Sequence, residues 1–179
     1  SWRFRNICMK KENILVICLI ILAAGIILTY IYSKQSSPSS SHAGQTPAQY
    51  LLDSKINWWK KGYSDGMATA KSLNKPVFLH FRADWCTFCK KMENTTFADE
   101  KVQAELNENF VSIVVDTDRD KKIANQWSIR GVPATWFLES DGTRISQLPG
   151  YVGEAHFLKV LKFISSGKYQ TMEFNEFDG

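Results

Sequence analysis

The chain has 179 residues, 44% of them apolar, enough for one domain of ordinary size plus an appendage. Its formal net charge of +4 falls on the N-terminus: five basic residues and one acid precede Ser36, and 17 of each follow. The neutral remainder excludes a global electrostatic case for binding nucleic acid.

Residues 1–13 carry Arg3, Arg5, Lys10 and Lys11. Residues 14–32, ILVICLIILAAGIILTYIY, run for 19 positions without a charge. A helix of that length spans about 28 Å, close to the roughly 30 Å hydrocarbon core of a bilayer. The pattern predicts one N-terminal transmembrane helix. The basic flank places the N-terminus in the cytoplasm and the rest of the chain outside it. Tyr30 and Tyr32 would then mark the outer interface. A cleaved signal peptide is the alternative, but the run exceeds the usual apolar core of about 7–15 residues.

Residues 33–47, largely KQSSPSSSHAGQTP, are rich in Ser with two prolines. They bury too little apolar surface to fold, so they read as a tether with a reach of about 20 Å. Residues 48–179 read as the folded domain. Gln49 to Lys75 reads as mostly helical, ending at Asn74-Lys75-Pro76. Val77 to Phe81 is an apolar run with the length and flanks of a buried strand. A helix opens at the following CxxC and continues through Glu93. Further helices are expected near Asp99 to Asn109, over Lys121 to Trp127 and over Gly153 to Ser165. Phe110 to Val115 reads as a strand. Ala134 to Leu138 and Arg144 to Leu148 flank the Asp141-Gly142 turn as a hairpin. Strands joined by helical crossovers should be parallel and the hairpin antiparallel, giving an α/β domain: a small mixed sheet with helices on both faces. The tail from Gly167 either packs back on the domain or frays.

Of four cysteines, Cys8 and Cys18 lie before or inside the apolar run, and only Cys86 and Cys89 lie in the domain. An oxidising compartment would let that pair form a disulfide. Cys86 falls at a helix N-terminus, where unpaired N–H groups and the helix dipole favour a thiolate. It is the candidate nucleophile, and Cys89, one turn on, the candidate resolving thiol. Such a pair exchanges two electrons without any cofactor. Structural zinc would need two more ligands, and the domain has no second CxxC or HxxxH. Haem attachment needs His after the second Cys, where Lys90 stands. A static structural disulfide stays open as the bland alternative. Asp116, Asp118 and Asp120 alternate like a calcium loop, but the needed Gly and Glu are missing. A solvated turn is the better reading there.

Ala83-Asp84-Trp85-Cys86-x-x-Cys89-Lys90 resembles the active-site stretch of the thioredoxin superfamily. Gly131-Val132-Pro133-Ala134-Thr135 resembles its second signature, a loop with a cis-proline facing the disulfide. The stretch through Met92-Glu93 and Thr96-Phe97 looks most like the membrane-tethered, thioredoxin-like branch. That branch includes the C-terminal domain of the periplasmic thiol:disulfide interchange protein. The resemblance covers roughly Trp59 to Phe177. It implies a thioredoxin-like fold and catalysis by Cys86 and Cys89. It also implies substrate binding by Trp85, Val132 and Pro133, with the Val132 backbone ready to pair with a substrate strand. Trp85 would shield the disulfide; ordinary core packing is its other reading.

Two positions depart from the superfamily pattern. Where many members have a buried acid six residues before the first cysteine, this chain has His80. That residue is either a proton acceptor for Cys89 or a hydrogen-bonded core histidine. The Thr87-Phe88 pair between the cysteines matches no assigned potential. The resemblance implies a membrane-anchored disulfide reductase in the periplasm, acting on protein disulfides and fed by a membrane electron donor. Apocytochrome c, and hence cytochrome c biogenesis, would be a natural client. The alternative is a non-catalytic thioredoxin-fold subunit of a larger membrane complex.

Overall fold

The structure, a computed structural model, describes residues 54–179 and, before them, Ile21 alone. Apart from Ile21, the expected transmembrane helix and tether, residues 14–32 and 33–47, lie outside that description. Among the described residues no helix is long and apolar enough to cross a membrane.

The elements follow the predicted order. They are α1 (Tyr63–Leu73), β1 (Val77–Arg82), α2 (Thr87–Asn94), α3 (Glu100–Asn109), β2 (Val111–Asp116), α4 (Lys121–Gln126), β3 (Ala134–Leu138), β4 (Arg144–Pro149) and α5 (Glu154–Ser165). The sheet order is β2-β1-β3-β4. β1 pairs parallel with β2 and antiparallel with β3, and β3 pairs antiparallel with β4. β1 is therefore central, and all six of its residues are buried. That burial on both faces explains why its sequence is a near-continuous apolar run rather than an alternation.

The two faces of the sheet support separate cores. Phe78, Phe97, Phe137 and Phe157 stack on one face with Trp58, Met92 and Leu161. Val77, Leu79, Phe81, Ile113 and Leu138 fill the other. Helix α1 lies against this second core at close range. A Cβ at Gly66 would stand 2.6 Å from Ile113 Cδ1, so only glycine fits without displacing that side chain. Gly142, at φ +96°, supplies the left-handed turn of the β3–β4 hairpin.

One expectation changes, and one that stood open is decided. Helix does not extend across Asn57-Trp58-Trp59; α1 begins only at Tyr63. Trp58 instead forms an isolated parallel bridge to Ser112 at the free edge of β2. Bridge and burial together outweigh local helical spacing, because Trp58 gains a place in the aromatic core. The tail packs back rather than fraying. Its short 3₁₀ turns, Lys168–Gln170 and Phe174–Glu176, set Phe174 and Phe177 against Phe163 of α5.

Candidate active site: a dithiol at a helix start

β1 delivers the chain to the site at Arg82, and the loop Ala83–Cys86 turns it into α2. Cys86 is the N-cap of α2, and its Sγ accepts the Cys89 N–H at 3.0 Å. That bond uses one of the donors left unpaired at a helix start. A negative sulfur there gains from both the bond and the helix dipole. Cys86 and Cys89 are joined as a disulfide with Cα atoms 5.2 Å apart. Cys86 is 4% exposed and Cys89 fully buried, so an incoming sulfur meets Cys86 first.

The second signature comes from the loop before β3. The Val132–Pro133 peptide is cis. Val132 packs on the small cluster of Ala83, Cys86 and Cys89. The Gly150 N–H donates to the Pro133 carbonyl at 2.8 Å, which ties this loop to the end of β4. Val132 and Pro133 also line a cleft of about 430 Å³ with Arg130, Gln147 and Pro149. The fold thus brings Val132 to a sulfur pair far away in sequence.

Trp85 is not a core residue. It is 68% exposed, and its Nε1–H donates to Asp118 Oδ2 at 2.9 Å. Phe88, inside the CxxC, is 60% exposed. Two large apolar rings therefore stand in solvent in the segment that carries the disulfide, which is the pattern of a contact surface.

His80 is buried on β1 among Phe78, Phe97 and Trp58. Its Nδ1 lies 3.0 Å from Thr135 Oγ1, and its Nε2 has no partner among the described residues. Burial, reinforced by the nearby Arg82 charge, lowers its pKa to about 3. The ring is neutral at any ordinary working pH, and protonating it is costly. That makes it a weak reservoir for a proton.

A charged cluster surrounds Arg82, the last residue of β1, and little of it is legible in the sequence. Arg82 is 3% exposed, yet its Nε donates to Glu93 Oε1 at 2.6 Å and its Nη1 to Asp84 Oδ1 at 2.7 Å. Asp116 Oδ2 lies 3.6 Å from the same Nη1, and Arg119 reaches Asp84 and Asp116 from outside. Burial alone would lower the Arg82 pKa, but Glu93 and Asp84 outweigh it and hold the guanidinium charged. Burial raises Glu93 above the usual carboxylate range, against the pull of Arg82. One signal was available: Glu93 stands four residues after Cys89, on the same helix face. The aspartates of the β2–α4 turn are not simply solvated, since Asp116 faces Arg82 and Asp118 holds Trp85.

Comparison with known proteins agrees with this geometry. A thioredoxin-like domain family matches residues 63–165, more than half of the chain. The thiol:disulfide interchange protein DsbD of Photorhabdus laumondii is 26% identical over 167 residues, covering 90% of this chain and 27% of that protein. Its namesake from Vibrio vulnificus is 30% identical over 154 residues, covering 80% of this chain and 26% of that one. The chain thus spans about a quarter of the length of these relatives. A thioredoxin from Thermus thermophilus superposes with a TM-score of 0.57 at 22% identity, covering 66% of this chain and 98% of that one, and so shares the fold. With its cis-proline loop packed on a CxxC pair, the chain belongs to the thioredoxin-like domain family.

Proposed function

We propose that this chain is a membrane-tethered reductant of protein disulfides outside the cytoplasm. The observation that carries the chemistry is Cys86 at the cap of α2, its Sγ on the Cys89 N–H and the Val132–Pro133 loop packed beside it. In the reduced protein, the Cys86 thiolate attacks one sulfur of a client disulfide. A Cys86–client disulfide forms, and the other client sulfur leaves as a thiolate that takes up a proton. Cys89 then gives up its proton and attacks Cys86 Sγ. The Cys86–Cys89 disulfide closes and the second client thiol is released. Two electrons pass to the client, and a dithiol donor must restore them.

Likeness to the interchange proteins favours the reducing direction and a donor in the membrane. The uncharged run 14–32, with its basic flank, supports the anchor and the periplasmic placement. Val132 and Pro133 would offer backbone to an extended client segment, and Trp85 an exposed ring beside it. His80 would act in proton transfer only through a charged state that its surroundings disfavour, so a core role suits it better.

The test is insulin reduction by the full chain in detergent, wild type against Cys86→Ser. Turnover is expected only from the wild type. Negligible activity in both proteins would overturn the enzymatic reading. A reduction potential near that of strong oxidants, about −120 mV, would overturn the reducing direction.

A further inference from the structure

The cluster around Arg82 serves no step described above, and it is an expensive thing to place behind a dithiol. A buried ion pair seldom stabilises a fold more than apolar residues of the same volume would. Its presence calls for a role in geometry. Three carboxylates converge on one guanidinium, and each comes from a different segment. Asp84 belongs to the loop two residues before Cys86. Glu93 belongs to α2, four residues after Cys89. Asp116 ends β2, the strand beside β1.

Asp84 and Glu93 thus enclose the CxxC in sequence, and Arg82 joins them at 2.7 and 2.6 Å. The disulfide links the same two segments from inside. When it opens, the side-chain cross-link between the N-cap and the first turn of α2 is lost, and only the backbone joins loop to helix. We propose that Arg82 is a positioning residue for the dithiol, a brace that ties the segment entering Cys86 to the helix leaving Cys89 and stays closed when the disulfide opens. This inference rests on the redox reading given above. The brace keeps both sulfurs in place while Cys89 attacks the mixed disulfide, so little reorganisation separates the oxidised and reduced states.

Charge makes a second, separable contribution. The charged groups facing one another here are Arg82 and Arg119 against Asp84, Glu93 and Asp116, with Lys90 of α2 also acting on Glu93. Neighbours four apart on a helix lie within about 6 Å, so Glu93 is close enough to Cys89 to be felt. Without Arg82, the carboxylates would oppose a thiolate. A guanidinium fork can bridge two carboxylates at once, whereas a lysine ammonium acts as a point charge.

The experiment compares wild type, Arg82→Met and Arg82→Lys as full chains in detergent. It reads insulin turnover and, in a Cys89→Ser background, the pH midpoint of Cys86 alkylation by iodoacetamide. Arg82→Met should raise the midpoint by about half a pH unit or more and slow turnover at least about threefold. Arg82→Lys should keep the midpoint, because the charge remains, and still lose about threefold in turnover, because the bridge is gone. A merely structural residue would lower the melting temperature without moving the midpoint. A folded Arg82→Met protein with wild-type turnover would overturn the brace, and one with the wild-type midpoint would remove the charge contribution. Arg82→Lys with wild-type turnover would also overturn the brace, and that variant decides alone if Arg82→Met does not fold. Inactivity of the wild type would instead remove the redox reading, and the inference with it.

Discussion

His80 and Arg82 stand two residues apart on β1, on the same face of the strand by its two-residue period, and both are buried. Their surroundings deal with burial in opposite ways. Around His80 the neighbours are Phe78, Phe97 and Trp58, and the one polar contact among the described residues is Thr135. The ring gives up its charge. Around Arg82 the neighbours are carboxylates, and the guanidinium keeps its charge by pairing. A guanidinium has no neutral option at accessible pH, whereas an imidazole does. The lesson is that the side chain's own pKa decides which remedy a buried site can use. The strand changes from one remedy to the other within a single pleat, where it passes from the aromatic core to the cysteines.

The largest expected effect tests the His80 side. An unfolded His80 binds a proton below about pH 6.5, while the folded one stays neutral down to about 3. The unfolded state therefore binds more protons in that window. Stability is full above about pH 6.5 and falls as the pH is lowered, by about 1.4 kcal/mol per unit. By pH 4 that is about 3 kcal/mol. Urea unfolding of wild type and His80→Leu across this range should show the wild type losing that much more than the variant. Parallel curves would mean that His80 is not the neutral, desolvated group its surroundings require.

The next effect tests the Arg82 side. Glu93→Leu leaves the guanidinium buried with Asp84 and Asp116 alone. The cost should be about 2–3 kcal/mol, below the full penalty for an orphaned buried charge because those two carboxylates remain. Adding Arg82→Met should recover part of the loss, since an apolar pair is tolerated where half an ion pair is not. If the double variant is less stable than Glu93→Leu, the cluster stabilises the fold outright and the contrast with His80 narrows.

This contrast also marks where sequence reasoning succeeds and stops. The cysteine pair was legible because its chemistry is local: a strand, a turn and a helix start lie within about a dozen residues. The helices and strands were legible because Pro76, the Asp141-Gly142 turn and the apolar runs punctuate the chain. Trp58 was misread because its partner, Ser112, lies far along the chain, and only the assembled sheet edge shows it. Arg82 was missed because a cation after an apolar run reads as the solvated end of a strand. Its carboxylates come from the next turn, the next helix and the neighbouring strand, so no single window holds the pattern. Asp118 reads from the sequence as part of a solvated turn, whereas in the structure it holds the Trp85 indole.

A smaller effect returns to His80. Thr135→Val removes the one hydroxyl within reach of Nδ1 and keeps the side-chain volume. Nε2 has no partner among the described residues, so the ring would lose the hydrogen bond seen there. The expected loss is about 1–2 kcal/mol at pH 7, measured by urea unfolding. No loss would mean that the bond contributes little and that packing against Phe78, Phe97 and Trp58 holds the ring.

The smallest effect concerns the exposed counterpart of these buried contacts. Asp118 and Trp85 make a charge-assisted bond of 2.9 Å, similar in length to those of Arg82, but both residues are exposed. Water can replace either partner, so Asp118→Ala should cost under about 0.5 kcal/mol in urea unfolding. The indole should nonetheless lose its fixed orientation beside Cys86. The change in Trp85 fluorescence between oxidised and reduced protein should then shrink, because an untethered ring averages over its positions relative to the sulfurs. The other indoles complicate that signal, so the variant is best read against Trp85→Phe, which removes the Trp85 contribution entirely. A stability loss above about 1 kcal/mol would show that burial is not what separates the costly contacts from the cheap ones. An unchanged fluorescence response would show that packing, and not Asp118, orients the ring.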